Sequence, residues 1–66
     1  MNRPIEYRGY VIRTEFNKKD KNYPFIAVAR KGSEELKKRG YDEQQAVDLV
    51  TSEIDFILAI QAKNKE

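Results

Sequence analysis

The sequence has no cysteine, no histidine and no tryptophan. Without cysteine there is no disulfide framework, no thiolate nucleophile and no zinc ribbon. Without histidine there is no imidazole base and no histidine metal ligand, so structural zinc has no ligand set. Long apolar runs are missing as well. No stretch reaches the roughly 18 apolar residues of a spanning helix. Met1-Asn2-Arg3-Pro4-Ile5-Glu6 lacks the apolar segment of a signal peptide. From these absences the chain is expected to be cytoplasmic, with no membrane partner, no metal and no cofactor.

What is present is small and highly charged. A chain of 66 residues is one domain and buries only about 60% of its unfolded surface. Hydrophobic residues make up 39% and charged residues 36%, enough for a small core and too little for a large one. A fold of this length without staples often needs a second copy or a partner.

Residues 1–6 read as a tail, kept extended by Pro4. Residues 7–16, YRGYVIRTEF, read as a strand: Tyr10, Ile12, Thr14 and Phe16 alternate with Val11, Arg13 and Glu15. Residues 17–22 form a polar turn with Asn and Asp at turn positions. Residues 23–31, YPFIAVARK, read as a second strand, with Pro24 at its start where a missing N–H matters least. The two make an antiparallel hairpin over residues 7–31.

Residues 32–41 are ambiguous. Ser33 is a good N-cap, Glu34–Lys38 and Glu35–Arg39 are spaced as helical ion pairs, and Gly40 suits a helix C-cap. Against a helix, Leu36 is the lone apolar residue of 33–40, and a third strand would help a marginal hairpin. The last element is clearer. Asp42 is an N-cap with Gln45 three residues on, and Tyr41 can pack on Ala46. A helix then occupies residues 42–62. Val47, Val50, Ile54, Ile57 and Gln61 line one stripe, and Ala46, Leu49, Phe56 and Ile60 widen it. Asp48, Ser52 and Asp55 mark the solvent side. Residues 63–66 form a closing tail.

Catalysis finds little support. Ser33, Thr51 and Ser52 have no base to activate them. Asp42, Glu43 and Asp48 read as a capped, polar helix start, without the spacing of a calcium loop. Glu53 and Asp55, two apart, point to different sides of a helix and make no carboxylate pair. Gly9, Gly32 and Gly40 read as a bend, a turn and a cap, not as a phosphate loop. Phe16, Phe25 and Phe56 are expected to pack in the core. The chain is therefore read as a non-enzyme.

The charge is segregated. Residues 1–41 carry 11 Lys/Arg against 5 Asp/Glu, and residues 42–66 carry 2 against 6. The sheet half is basic and the helix half acidic. One reading is a basic sheet that docks on phosphates through Arg8, Arg13, Lys18, Lys19, Lys21, Arg30 and Lys31. Tyr7, Tyr10 or Tyr23 would add stacking. The plainer reading is a solvated lysine loop with edge-strand charges that block aggregation. The basic sheet of one copy could also meet the acidic helix of another.

The order Tyr7-Arg8-Gly9, then Phe25-Ile26-Ala27-Val28-Ala29, then Gly40-Tyr41-Asp42-Glu43-Gln44-Gln45-Ala46-Val47 resembles two families. One is the ethylene-response-factor DNA-binding domain with the related arm-binding domain of phage integrases. That resemblance implies three antiparallel strands, a helix, and a sheet lying in the major groove. Arg8, Arg13 and Arg30 stand where strand arginines would read bases; the family's tryptophans have no counterpart here. The second resemblance is to HicB-type antitoxin domains, which implies a sheet-plus-helix module that dimerises.

The expected fold is thus α+β: an antiparallel hairpin, three-stranded if residues 32–41 pair, packed on one long C-terminal helix. The expected function is a small regulatory or accessory module acting through protein–protein contacts, with nucleic-acid binding as the alternative. Leu49, Phe56 and Ile60 are the candidate contact residues, for an unknown protein or a second copy.

Overall fold

The computed structural model describes residues 3–64. Four strands and one helix follow in order: β1 Ile5–Tyr7, β2 Tyr10–Phe16, β3 Phe25–Lys31, β4 Glu34–Gly40 and α1 Glu43–Asn64. The strands form an antiparallel meander in the order β1-β2-β3-β4. The α+β class and the packing of a sheet on one C-terminal helix agree with the sequence reading. The strand count does not: among the described residues there are four, not two or three.

Both extra strands have local causes. Residues 7–16 do not form one strand, because Arg8 and Gly9 both adopt positive φ, 51° and 90°. Those are the signs of a type I′ turn, the tight turn that matches strand twist. Tyr7 therefore pairs with Tyr10, and Ile5 with Ile12. Part of the expected tail becomes β1; Met1 and Asn2 lie outside the described residues. At the other end, Gly32 turns the chain at φ 60°, and Lys31 pairs with Glu34. A positive φ at the first central residue followed by an ordinary one is the type II′ pattern. That turn makes residues 34–40 a strand. The helical capping signals there lose to cross-strand pairing, which packs the partly buried Leu36 against the core.

The loop between β2 and β3 is fixed by Asx contacts. Asn17 Oδ1 accepts from the Lys19 amide at 3.0 Å, and Asp20 Oδ1 accepts from Asn22 and Tyr23 at 3.1 and 2.9 Å. The Asn17 amide donates to the Pro24 carbonyl at 2.6 Å, closing the loop.

The helix begins as its capping signals dictate. Asp42 Oδ1 accepts from the Gln45 amide at 2.7 Å. Gln45 Oε1 accepts from the Tyr41 amide, one residue before the N-cap. Tyr41 does not form a staple; it stands 61% exposed. The helix runs two residues past the expected end at 62, to Asn64, and the last two residues of the expected tail, Lys65 and Glu66, lie outside the described residues.

The core is thin. Tyr10, Ile12, Ala27, Ala29, Ala46, Val50 and Ile54 are fully buried, ringed by Tyr7, Phe25, Leu36 and Leu58. Alanines at 27, 29 and 46 let the helix backbone sit close to the sheet. Gly40 completes that approach. A Cβ there would stand 2.5 Å from the backbone nitrogen of Ala46. Gly40 is therefore a contact glycine on the last strand and not a helix cap. Phe16 and Phe56, expected in the core, are 61% and 63% exposed. Phe16 lies at the sheet end, edge-on to Phe25 at 5.1 Å. Phe56 lies on a flank of the helix that no described strand covers.

Candidate nucleic-acid interface

The register divides the sheet into two faces. Tyr10, Ile12, Ala27 and Ala29 are buried under the helix, and their cross-strand partners share that face. The alternate residues point the other way: Val11, Arg13 and Glu15 on β2, Ile26, Val28 and Arg30 on β3, and Glu35, Lys37 and Arg39 on β4. No element among the described residues covers this second face. It is an apolar centre of Val11, Ile26 and Val28 framed by four cations.

Those cations differ in their freedom. Arg30 is held by Glu35, its directly opposed neighbour, at 2.7 Å. Arg39 donates to Asp20 Oδ2 at 2.7 Å. The other oxygen of Asp20 holds the loop backbone, so Arg39 fixes the lysine-bearing loop to the end of the sheet. The Tyr23 amide above all, with Asn22 and Arg39, holds the Asp20 carboxyl below its ordinary pKa of 3.8. Arg13 and Lys37 make no ion pair among the described residues. They flank Val28 on either side in one cross-strand row, Arg13–Val28–Lys37. Val11, Arg13, Glu15, Val28 and Arg30 line a shallow depression in this face.

The candidates therefore separate. Arg13 and Arg30 lie on the uncovered face, and Lys18, Lys19 and Lys21 on the loop at its end. Arg8 does not join them. It sits in the β1–β2 turn and donates to Asp55 of the helix at 2.9 Å. Tyr7 donates its hydroxyl to the same carboxylate at 2.8 Å. These two bonds, Tyr7's first, hold Asp55 below 3.8, and in turn the carboxylate raises the Tyr7 hydroxyl above 10.0. Lys31 also lies on the helix side, 5.5 Å above the Tyr10 ring. Lys37 and Arg39 are not among the residues named from sequence, because the ambiguity of residues 32–41 gives them no face. The alternation of Glu35, Lys37 and Arg39 would have revealed it once β4 was taken as a strand.

The acidic helix spends its charge on its own sheet. Glu43 accepts from Thr14 at 2.7 Å, Glu53 pairs with Lys38 at 3.3 Å, and Asp55 binds Tyr7 and Arg8. Among the described residues no group of three acidic side chains is placed to hold a metal. No described helix is long and apolar enough to cross a membrane. Leu49, Phe56 and Ile60 are 41%, 63% and 42% exposed along one stripe of the helix. Compared with protein families, curated proteins and solved structures, the chain matches none.

Proposed function

We propose that this chain is a non-catalytic binding module whose uncovered sheet face docks on nucleic-acid phosphates. The observation that carries this reading is the row Arg13–Val28–Lys37, two cations without an ion pair among the described residues, flanking Val28 on a bare sheet face. The fixed loop with Lys18, Lys19 and Lys21 adds charge at the end of that face. Sheets that enter grooves are an established docking mode. The three glutamates of the face, Glu6, Glu15 and Glu35, temper its charge, so the expected binding is moderate and depends strongly on salt.

The test is fluorescence anisotropy with a labelled mixed-sequence DNA duplex at about 50 and about 200 mM salt. Binding that weakens steeply with salt and falls sharply in the variant Arg13→Glu, which leaves β4 untouched, supports the reading. Binding unchanged in that variant, or none at low salt, refutes it. A protein-contact role has separate support in the exposed stripe of Leu49, Phe56 and Ile60.

A further inference from the structure

We propose that β4 is a self-complementary edge and that two copies of this chain pair through it, antiparallel, about a two-fold axis at Leu36. β4 is one of the two outer strands of the sheet, and its outward backbone groups have no strand partner among the described residues. Its sequence, Glu34-Glu35-Leu36-Lys37-Lys38, has charges that invert in sign about Leu36, so it is complementary to its own reverse. Paired with a second copy about Leu36, Glu34 meets Lys38, Glu35 meets Lys37, and Leu36 meets itself. The two-fold repeats each charge pair, so every opposed pair is attractive or apolar. Opposed pairs of this kind are what stabilise sheet edges.

The backbone permits this register. Lys31 and Glu34 flank a two-residue turn and so form a hydrogen-bonded pair. Alternation then aims the backbone groups of Glu34, Leu36 and Lys38 at β3 and those of Glu35, Lys37 and Arg39 outward. Pairing about Leu36 sets the outward groups of Glu35 opposite those of Lys37, as a ladder requires. Leu36 falls at the closer, non-hydrogen-bonded position, where side chains touch best.

The exposed helix stripe falls in the same place. Glu53 reaches Lys38 at 3.3 Å, so this flank of the helix faces the β4 edge. Leu49, Phe56 and Ile60 recur at helical spacing on that flank and are exposed. Phe56 lies about 4.5 Å further along the helix than Glu53, and Leu36 about 7 Å from Lys38 along the strand, so both stand near the axis. A helix seated over β3 and β4 would lie about 10 Å from its mate across the two-fold, a normal helix-packing distance. A second copy thus gives partners to the free strand edge and to the uncovered apolar stripe together.

Sedimentation velocity without nucleic acid, from roughly 10 μM to 1 mM protein, tests this. The expected result is a concentration-dependent dimer. Lys37→Glu sets a carboxylate opposite Glu35 at both symmetry-related positions and should weaken the dimer about tenfold or more. The charge swap Glu35→Lys/Lys37→Glu rebuilds attraction within a single kind of chain and should restore the dimer. Because the chain has no cysteine, Leu36→Cys gives an independent readout: it should cross-link to itself under mild oxidation, whereas Glu34→Cys should not. A parent chain that stays monomeric throughout overturns the proposal. A dimer indifferent to Lys37→Glu, or cross-linking equally at 34 and 36, overturns the register. As no nucleic acid is present, none of these outcomes depends on the docking role of the open face.

Discussion

Gly40→Ala tests how closely the helix rests on the sheet. The added Cβ would stand 2.5 Å from the Ala46 nitrogen, 3.0 Å from the Ala46 Cα and 3.0 Å from the Asp42 carbonyl oxygen. All three are main-chain atoms, so no side-chain rotation relieves the clash. Ordinary contact begins near 3.4 Å, and the helix start must therefore retreat by close to 1 Å. That retreat strains the cap between Asp42 and Gln45, now 2.7 Å, and draws Ala46 from the core. Overpacking of this kind costs about 1–3 kcal/mol. A domain of this length has about 3–10 kcal/mol to lose. With a urea slope of about 1 kcal/mol/M, the midpoint should fall by about 1–3 M. Urea unfolding followed by helical circular dichroism reads it directly. Gly32→Ala is the contrast. No atom lies within 4 Å of its added Cβ, but φ is +60°, so the cost is purely torsional. Gly32→D-alanine, accessible by synthesis, should erase that cost. A Gly40→Ala midpoint indistinguishable from the parent would refute the close-approach argument.

Further outcomes follow from the same contacts. Ile54→Ala empties a fully buried site and should cost about 2–5 kcal/mol in the same urea assay. The carboxyls of Asp20 and Asp55 titrate below 3.8 in the fold, so their stabilisation is complete above about pH 5 and is lost as pH falls through the folded values. Asp55→Asn should therefore shrink the acid limb of a stability–pH curve and leave the rest of its shape intact. At the alkaline end the sign reverses. The Tyr7 hydroxyl, bonded to Asp55, and that of Tyr10, desolvated by burial, are both raised above 10.0. The fold favours their neutral forms, so stability should decline as pH rises past 10, and Tyr7→Phe should soften that decline.

The sequence by itself determined the elements whose causes are local. The cap at Asp42, the apolar stripe through Val50 and Ile54, the alternation of Tyr10, Ile12 and Thr14, and the Asn/Asp loop all rest on neighbours within a few residues. Each appears in the fold, although the buried stripe of the helix is Ala46, Val50, Ile54 and Leu58 rather than Val47, Val50, Ile54 and Ile57. The segregation of charge was legible too, as a plain count. What only the tertiary structure decided was the identity of residues 34–40 and the use of each charge. Residues 34–40 hold good helix-end signals, but a turn at Gly32 lets them pair with β3, and one shared ladder outweighs a short, isolated helix. Gly40 looked like a cap because glycine suits both roles, and only the nearness of Ala46 tells them apart. Arg8 and Arg13 are five residues apart and equally basic. The turn at Arg8-Gly9 sends one to Asp55 of the helix and leaves the other on the bare face. Which side of a sheet a helix covers is a long-range outcome, set by where Ala27, Ala29 and Ala46 allow close approach. That choice turns a scatter of basic residues into one exposed surface.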